Sequence, residues 1–482
     1  MIAGVYVLEN TIMKRVWVVI LVLLGVFLLL QFIRPSLDNP PVTGDLKAPP
    51  EVKAVLERAC YDCHSNQTKL RWFDEVVPPY WSVVSDVKDG RAAMNFSTWD
   101  SLSKFQQMFN LFGAVFMIEQ KAMPLRSYTY LHHGGVITSE ELAVLKRYVA
   151  LLGFGYHLVL DTAGEREADD EYAKWKQATG LAAAKDEPNG IAYDADLANY
   201  RNWQVLSVNK RFDLGEFHMI LGNPVAVKAI REGQTNPYPD GAILAKPAWQ
   251  QLLDSSGEVR SGAFMRVEFM IRDSRKYAST LGWGWARWIG TTLTPWGTDA
   301  ASVAPSCVSC HRPLEKANYV FTLPLADSLR VGGSLGFGGS LRVGDSLRVA
   351  ASSPFAGSSP VGASSPDSVG LPLRGKVVTV FADPVKRTIS TLYSSASVAA
   401  AGGYVAGTVL SLVTWGLQDD ARWFGGAIPD MLQTVEQVRI GVDGKSVYAA
   451  YSGPGLSKKD VVADVAERRV QYIVAKRAAV IP

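Results

Sequence analysis

Four cysteines occur in the 482-residue chain, and they form two constellations of one pattern: Cys60-Tyr61-Asp62-Cys63-His64 and Cys307-Val308-Ser309-Cys310-His311. Two thiols at this spacing can both add to the vinyl groups of one haem while the next residue offers an imidazole to the iron. A redox dithiol, half of a zinc site and a local disulfide are the competing readings. A closed zinc centre needs four ligands, and a thioredoxin-like pair belongs in a βαβ pattern that neither segment shows. Both segments therefore read as covalent haem c sites, bound through Cys60, Cys63, Cys307 and Cys310, with His64 and His311 offered to iron.

Such sites need folded surroundings and a compartment. The chain is long enough for about three domains of ~150 residues. Its 49 basic and 46 acidic residues are too balanced for a nucleic-acid footprint, and no basic stripe interleaved with aromatics occurs. Val16 to Ile33 carries no formal charge and follows Lys14-Arg15. At 1.5 Å per residue it nearly spans a bilayer core, and no small-x-small cleavage pattern follows it. Residues 1–34 read as an uncleaved single-pass anchor that leaves the rest on the periplasmic side of a bacterial inner membrane, where c-type haem is attached. A Pro-rich tether (35–50) leads to an all-α unit over 51–155, in which Ser139-Glu-Glu opens a helix.

In that unit "KAMPLRSYTYLHHGG" offers Met123 as a second iron ligand, beside Pro124. A thioether axial ligand raises haem potential and makes an electron carrier, whereas an ordinary methionine is adaptable core filler. His132 and His133 compete for the ligand role and read as structural histidines. "ACYDCHSN", "NFSTW" and "MPLRSYTYLH" resemble the bacterial haem-binding domain family of small monohaem c-type cytochromes over roughly 48–155. That resemblance implies His64 as proximal and Met123 as distal ligand; His133-Gly134-Gly135 departs from the Pro-Glu-Ala-like turn it leads one to expect.

A charged linker (156–195), by its composition a solvated helix or linker rather than a site, precedes a β-rich unit over 196–325. In "AFMRVEFMIRDS", Met265, Val267, Phe269 and Ile271 alternate with Arg266, Glu268, Met270 and Arg272, the period of a half-buried strand. Further strands read at 203–208, 216–221, 242–249 and 282–289, with a helix at 224–232. "MILGNPVAVKAIREGQTNPYPDGAILAKPAW", "VEFMIRDSRKYA", "GWGWARW" and "CVSCHRP" resemble the cytochrome P-460 family. The resemblance implies a periplasmic haem enzyme that oxidises hydroxylamine and handles nitric oxide, with His311 proximal, the opposite face open, and a lysine bonded to the haem at the position of Lys246. Read from the residues alone, Lys246-Pro247 also fits a guard on an exposed sheet edge. A substrate that loses protons wants an acceptor; Glu268, then Asp299 and Asp273, are the candidates, each also readable as a surface carboxylate.

Residues 326–370 are Gly/Ser/Pro-rich and read as a linker. Residues 371–482 contain no cysteine or histidine, yet "YVAGTVLSLVTW" echoes "YPDGAILAKPAW", with Leu412 where Lys246 stands. This reads as a haem-free repeat of the β unit. The expected fold is multidomain α + β: a transmembrane helix, an all-α c-type cytochrome domain, an antiparallel β-rich haem domain and a degenerate β-rich repeat. The expected partners are a small nitrogenous substrate, a redox partner (a soluble cytochrome or a membrane acceptor) and the inner membrane. A dihaem electron carrier, using Met219 or Met265 in the second unit, and a nitric-oxide binding or sensing protein are the alternatives.

Overall fold

The computed structural model describes residues 2–154, 160–177, 185–297, 300–322, 324–325, 375–396, 403–441, 445–453 and 455–482. The linker expected at 326–370 lies outside them. The chain divides into two compact units, Met1–Val149 and Ala150–Pro482.

The described elements of the first unit are helical, apart from one isolated bridge between Gly44 and Thr98. They are α1 (Ile2–Leu30), α2 (Pro50–Ala59), α3 (Tyr61–His64), α4 (Pro79–Ala93), α5 (Lys104–Glu119), α6 (Arg126–Leu131) and α7 (Ser139–Phe154), with the boundary between the units inside α7. Met13–Leu30 of α1 has a mean hydropathy of 2.4 and is long and apolar enough to cross a membrane. α5 starts at a capping box, Ser103 with Gln106. The cap of α7 is Thr138 rather than the Ser139 the sequence suggested: its hydroxyl accepts from the Glu141 amide at 3.2 Å, and Glu141 returns to the Thr138 amide at 2.9 Å. Tyr61, Phe96 and Trp99 stack in the core at 5.0 and 5.4 Å.

The second unit opens with α8 (Thr162–Gln177), in the segment expected to be a solvated helix or linker. Beneath its charged residues Ala168, Tyr172 and Trp175, at i, i+4 and i+7, make an apolar stripe that packs on the sheet, and Glu171 accepts from the Phe264 amide at 2.8 Å. After α9 (Ala195–Ala198) come β1 (Gln204–Arg211), β2 (Glu216–Gly222), α10 (Pro224–Glu232), β3 (Ile243–Leu253), β4 (Val259–Arg272), β5 (Trp283–Ile289), β6 (Thr294–Pro295) and α11 (Ala300–His311), which carries the second CxxCH. α10 has the expected limits because local signals mark both ends: the Asn223 side chain caps the Ala226 amide, Pro224 follows, and Gly233 closes it at φ +72°. Then β7 (Lys376–Asp383), β8 (Thr388–Ser394), β9 (Val409–Asp419), β10 (Gly426–Ile440), β11 (Ser446–Ser452), β12 (Ser457–Lys459) and α12 (Ala463–Val474) repeat the same order of strands and closing helix.

Both series enter one antiparallel sheet. β1, β2, β3, β4, β7, β8, β9 and β10 follow one another, and β10 returns to β1, closing a ring. The two halves join through two seams of two residue pairs each: Val259 and Arg260 against Ala382 and Phe381, and Lys210 and Arg211 against Ala427 and Gly426. The segments bounded from sequence as separate β domains thus share one sheet and one compact unit. The physical reason is the shared interior: Phe217, Met219, Trp249, Val267 and Phe269 from the first half meet Val380, Ile389, Val413, Trp415 and Val435 from the second. Burying one such Phe or Val contributes roughly 1.5–3 kcal/mol, and neither half covers this face alone.

Candidate haem sites

In the first unit, Cys60, Cys63 and His64 lie on and beside α3. Gly90 lets α4 approach so closely that an added Cβ would stand 2.7 Å from the Cys63 carbonyl oxygen. α4 ends at Met94, whose carbonyl accepts from His64 Nδ1 at 3.2 Å, and the Phe96 amide donates to the His64 carbonyl at 2.8 Å. With Nδ1–H engaged, the imidazole presents Nε2, the tautomer an iron ligand needs. Burial lowers the His64 pKa, which keeps the ring neutral. Met123 is half-buried in the turn between α5 and α6, its amide donating to the Met117 carbonyl at 3.1 Å. His132 has both ring nitrogens occupied, Nδ1 by the Tyr128 carbonyl at 3.1 Å and Nε2 by Asp74 at 3.0 Å, and His133 is exposed. His132 is the structural histidine expected.

In the second unit the sheet sorts the candidates by face. On β2, β3 and β4 the residues Met219, Ala245, Val267 and Phe269 point into the ring. Leu206, Ile220, Leu244, Trp283 and Trp285 point outward, where they pack with Val308 and Cys307 of α11. Met219, fully buried in the ring interior, is therefore on the wrong face to ligate an iron at His311. His311 donates Nδ1–H to the Tyr319 carbonyl at 2.7 Å and lies between Trp285 at 4.5 Å and Phe321 at 4.8 Å. Burial lowers its pKa to about 4, and the nearby Lys246 and Arg287 push the same way.

Lys246 shares this outer face. β3 pairs with β2 on one side and β4 on the other, so it is not an edge, and the edge-guard reading falls. Pro247 has no amide hydrogen to give, and the β2–β3 ladder skips from Ala245 to Ala248. Lys246 faces Glu268 across β4 and ion-pairs with it. Glu268 also pairs with Arg287 and, at 3.4 Å, with Arg266. Burial alone would raise the Glu268 pKa, but Lys246, Arg287 and Arg266 together hold it well below the usual carboxylate range. Arg266 is also gripped by both oxygens of Glu216 at 2.9 and 2.7 Å, and His218 donates to Glu216 at 2.7 Å. Lys246, Glu268 and Arg287 all act electrostatically on Cys307, Cys310 and His311. Of the other acceptors expected, Asp273 caps the amides of Arg275 and Lys276 at 3.1 and 2.9 Å, and Asp299 lies outside the described residues. Arg287 went unnoticed in the sequence, although alternation in "WGWARWI" puts it on the face of Trp283 and Trp285.

The donor sets fit haem better than the alternatives. All four thiols are free, and burial pushes Cys60 and Cys63 up to about 12 and Cys307 and Cys310 up to about 11, the reverse of a redox-active thiolate. Among the described residues no group of three or more His, Cys, Asp or Glu stands together as a zinc centre requires. Half-buried cysteine pairs, each followed by a histidine anchored through Nδ1, define a haem cytochrome. Residues 25–151 match the haem-binding domain family and residues 197–322 match cytochrome P460, so the chain joins a haem-binding domain to a cytochrome P460 domain. No curated protein matches the chain.

Proposed function

We propose that this protein is a membrane-anchored periplasmic cytochrome with two covalent c-type haems that oxidises hydroxylamine or a related small nitrogen species such as nitric oxide. One haem would be held by Cys60, Cys63, His64 and Met123, the other by Cys307, Cys310 and His311, with Lys246 bonded to its macrocycle and the sixth position open. When bound, the second haem would take electrons from substrate and the first would relay them to a soluble or membrane acceptor. The observation that carries this reading is the placement of Lys246, an interior-strand lysine paired with Glu268 on the face that also carries the second CxxCH.

The chain's own residues would act as follows. Tyr319 fixes His311 in the tautomer that presents Nε2, and Trp285 and Phe321 keep water from the ring. Glu268 orients Nζ of Lys246 within its ion pair. With three cations on it the carboxylate is a weak base. A Lys246 committed to a covalent bond would leave it two, raising its proton affinity in the direction that an acceptor for the protons of a nitrogen–hydrogen substrate needs.

The test is the mass of the second haem peptide together with the reduced spectrum. The reading predicts that the Lys246 peptide stays attached to the Cys307–Cys310 peptide, with a red-shifted Soret band. Lys246→Leu removes both, and hydroxylamine oxidation with them, and leaves the first haem untouched. Two ordinary c-type spectra in the wild type would refute the enzyme reading.

A further inference from the structure

The segment that orients His311 is held from the other half of the ring. In the turn between β9 and β10, Arg422 Nη1 donates to the carbonyls of Val320, Phe321 and Thr322 at 3.0, 3.4 and 3.1 Å. Its neighbour Trp423 is buried, with its ring edge-on to Phe321 at 5.4 Å. Its Nε1–H donates to Asp213 at 2.9 Å, and the Arg211 guanidinium lies 4.4 Å over its ring. Phe321 in turn stands against His311, and Tyr319, two residues earlier, accepts the His311 Nδ1–H. Arg422 and Trp423 lie a hundred residues beyond the stretch that matches cytochrome P460. The arrangement is reciprocal: the β3–β4 turn of the first half sends Glu258 to Tyr472 and Lys476, on and just after α12. A two-fold association of like parts makes such exchanged contacts, here within one chain.

We infer that Arg422 and Trp423 are positioning residues for the second haem: they clamp residues 320–322 so that Phe321 covers His311 and Tyr319 orients it. The inference rests on the proposed haem at Cys307 and Cys310. A charged donor shared among three carbonyls is a strong clamp, and the wall it holds controls water access, hence the potential of the iron. Water admitted beside His311 stabilises the more highly charged oxidised state, so loosening the clamp lowers that potential.

Redox titration of the full-length protein in detergent reads this directly. The wave missing from a Cys307→Ser/Cys310→Ser chain belongs to the second haem. Arg422→Ala and Trp423→Leu are expected to move that wave to lower potential while the first-haem wave and the haem content per chain stay unchanged. Trp423→Phe, which keeps a ring against Phe321 but loses the Nε1–H, moves it less and serves if the harsher variants fail to fold. A second wave that stays in place in these variants overturns the inference while leaving haem at Cys307. A wild-type protein without a second wave overturns the haem reading and the inference together.

Discussion

Glu268→Gln and Lys246→Leu remove opposite charges from one ion pair, and their costs differ for a reason the surroundings set. Lys246, Arg266 and Arg287 stand around Glu268, and Glu216 grips Arg266 from the other side. Three cations thus face two carboxylates. Glu268→Gln leaves the three cations with Glu216 alone, on side chains that are mostly withdrawn from water. Stripping one partner from a buried pair costs about 3–5 kcal/mol because the remaining charge stays buried and unpaired. Lys246→Leu leaves two cations and two carboxylates in balance and puts an apolar side chain where the other half has Leu412, opposite Glu436; because the Lys246 side chain is 32% exposed, its cost is about 1 kcal/mol or less. Urea unfolding of the second unit in a Cys307→Ser/Cys310→Ser background, where Lys246 keeps its charge, followed by tryptophan fluorescence, is expected to give a midpoint for Glu268→Gln below that of Lys246→Leu by the equivalent of about 2–4 kcal/mol. The double variant recovers part of the loss, since the lysine no longer lacks a partner. Equal midpoints for the two single variants refute the charge-balance argument.

Gly90→Ala forces the α4 backbone away from the Cys63 carbonyl, an overpacking cost of about 1–3 kcal/mol; covalent haem per chain falls by the share belonging to Cys60 and Cys63, and full incorporation would contradict this. Met123→Ala opens the first iron, so reduced protein binds carbon monoxide there and that haem's potential drops; an unchanged potential argues against Met123 as ligand. Burial, with Lys246 and Arg211 nearby, lowers His218 from 6.5 to about 3 despite Glu216, so below pH 6.5 the unfolded chain takes up a proton the folded chain refuses. Stability complete at pH 7 is therefore lost as pH falls from 6.5 toward 3, and Glu216, held low chiefly by Arg266 against the upward push of burial, adds to the loss below about 4.5. His218→Asn flattens the dependence of the unfolding midpoint between pH 7 and 5; a slope identical to wild type would count against the assignment.

What could be read from the chain in advance was whatever a short window encodes. The CxxCH spacing, the alternation through Val267, Glu268 and Phe269, and the Asn223 and Gly233 ends of α10 are all complete within a few residues. Lys246 was legible as an oddity on an apolar strand, but its choice between edge and interior depends on β2 and β4 pairing on both sides of it. The ring closure was not legible, because each seam rests on two residue pairs between segments far apart in sequence. α8 hid its apolar stripe beneath a run of acidic residues. The contacts of Arg422 and Trp423 to residues 320–322 have no local signature at all.

The closed ring also sets what each half can afford to lose. The half without cysteine or histidine offers no CxxCH of its own. Here its strands supply the opposite wall of the interior that backs Lys246 and Glu268. Drift at Leu412 on the outer face touches little of that wall, whereas drift at Val413, Trp415 or Val435 opens the interior on which the strands of Lys246 and Glu268 rest. The second half is thereby tied to the first: a change on its interior face unsettles, through packing, the strands that carry Lys246 and Glu268.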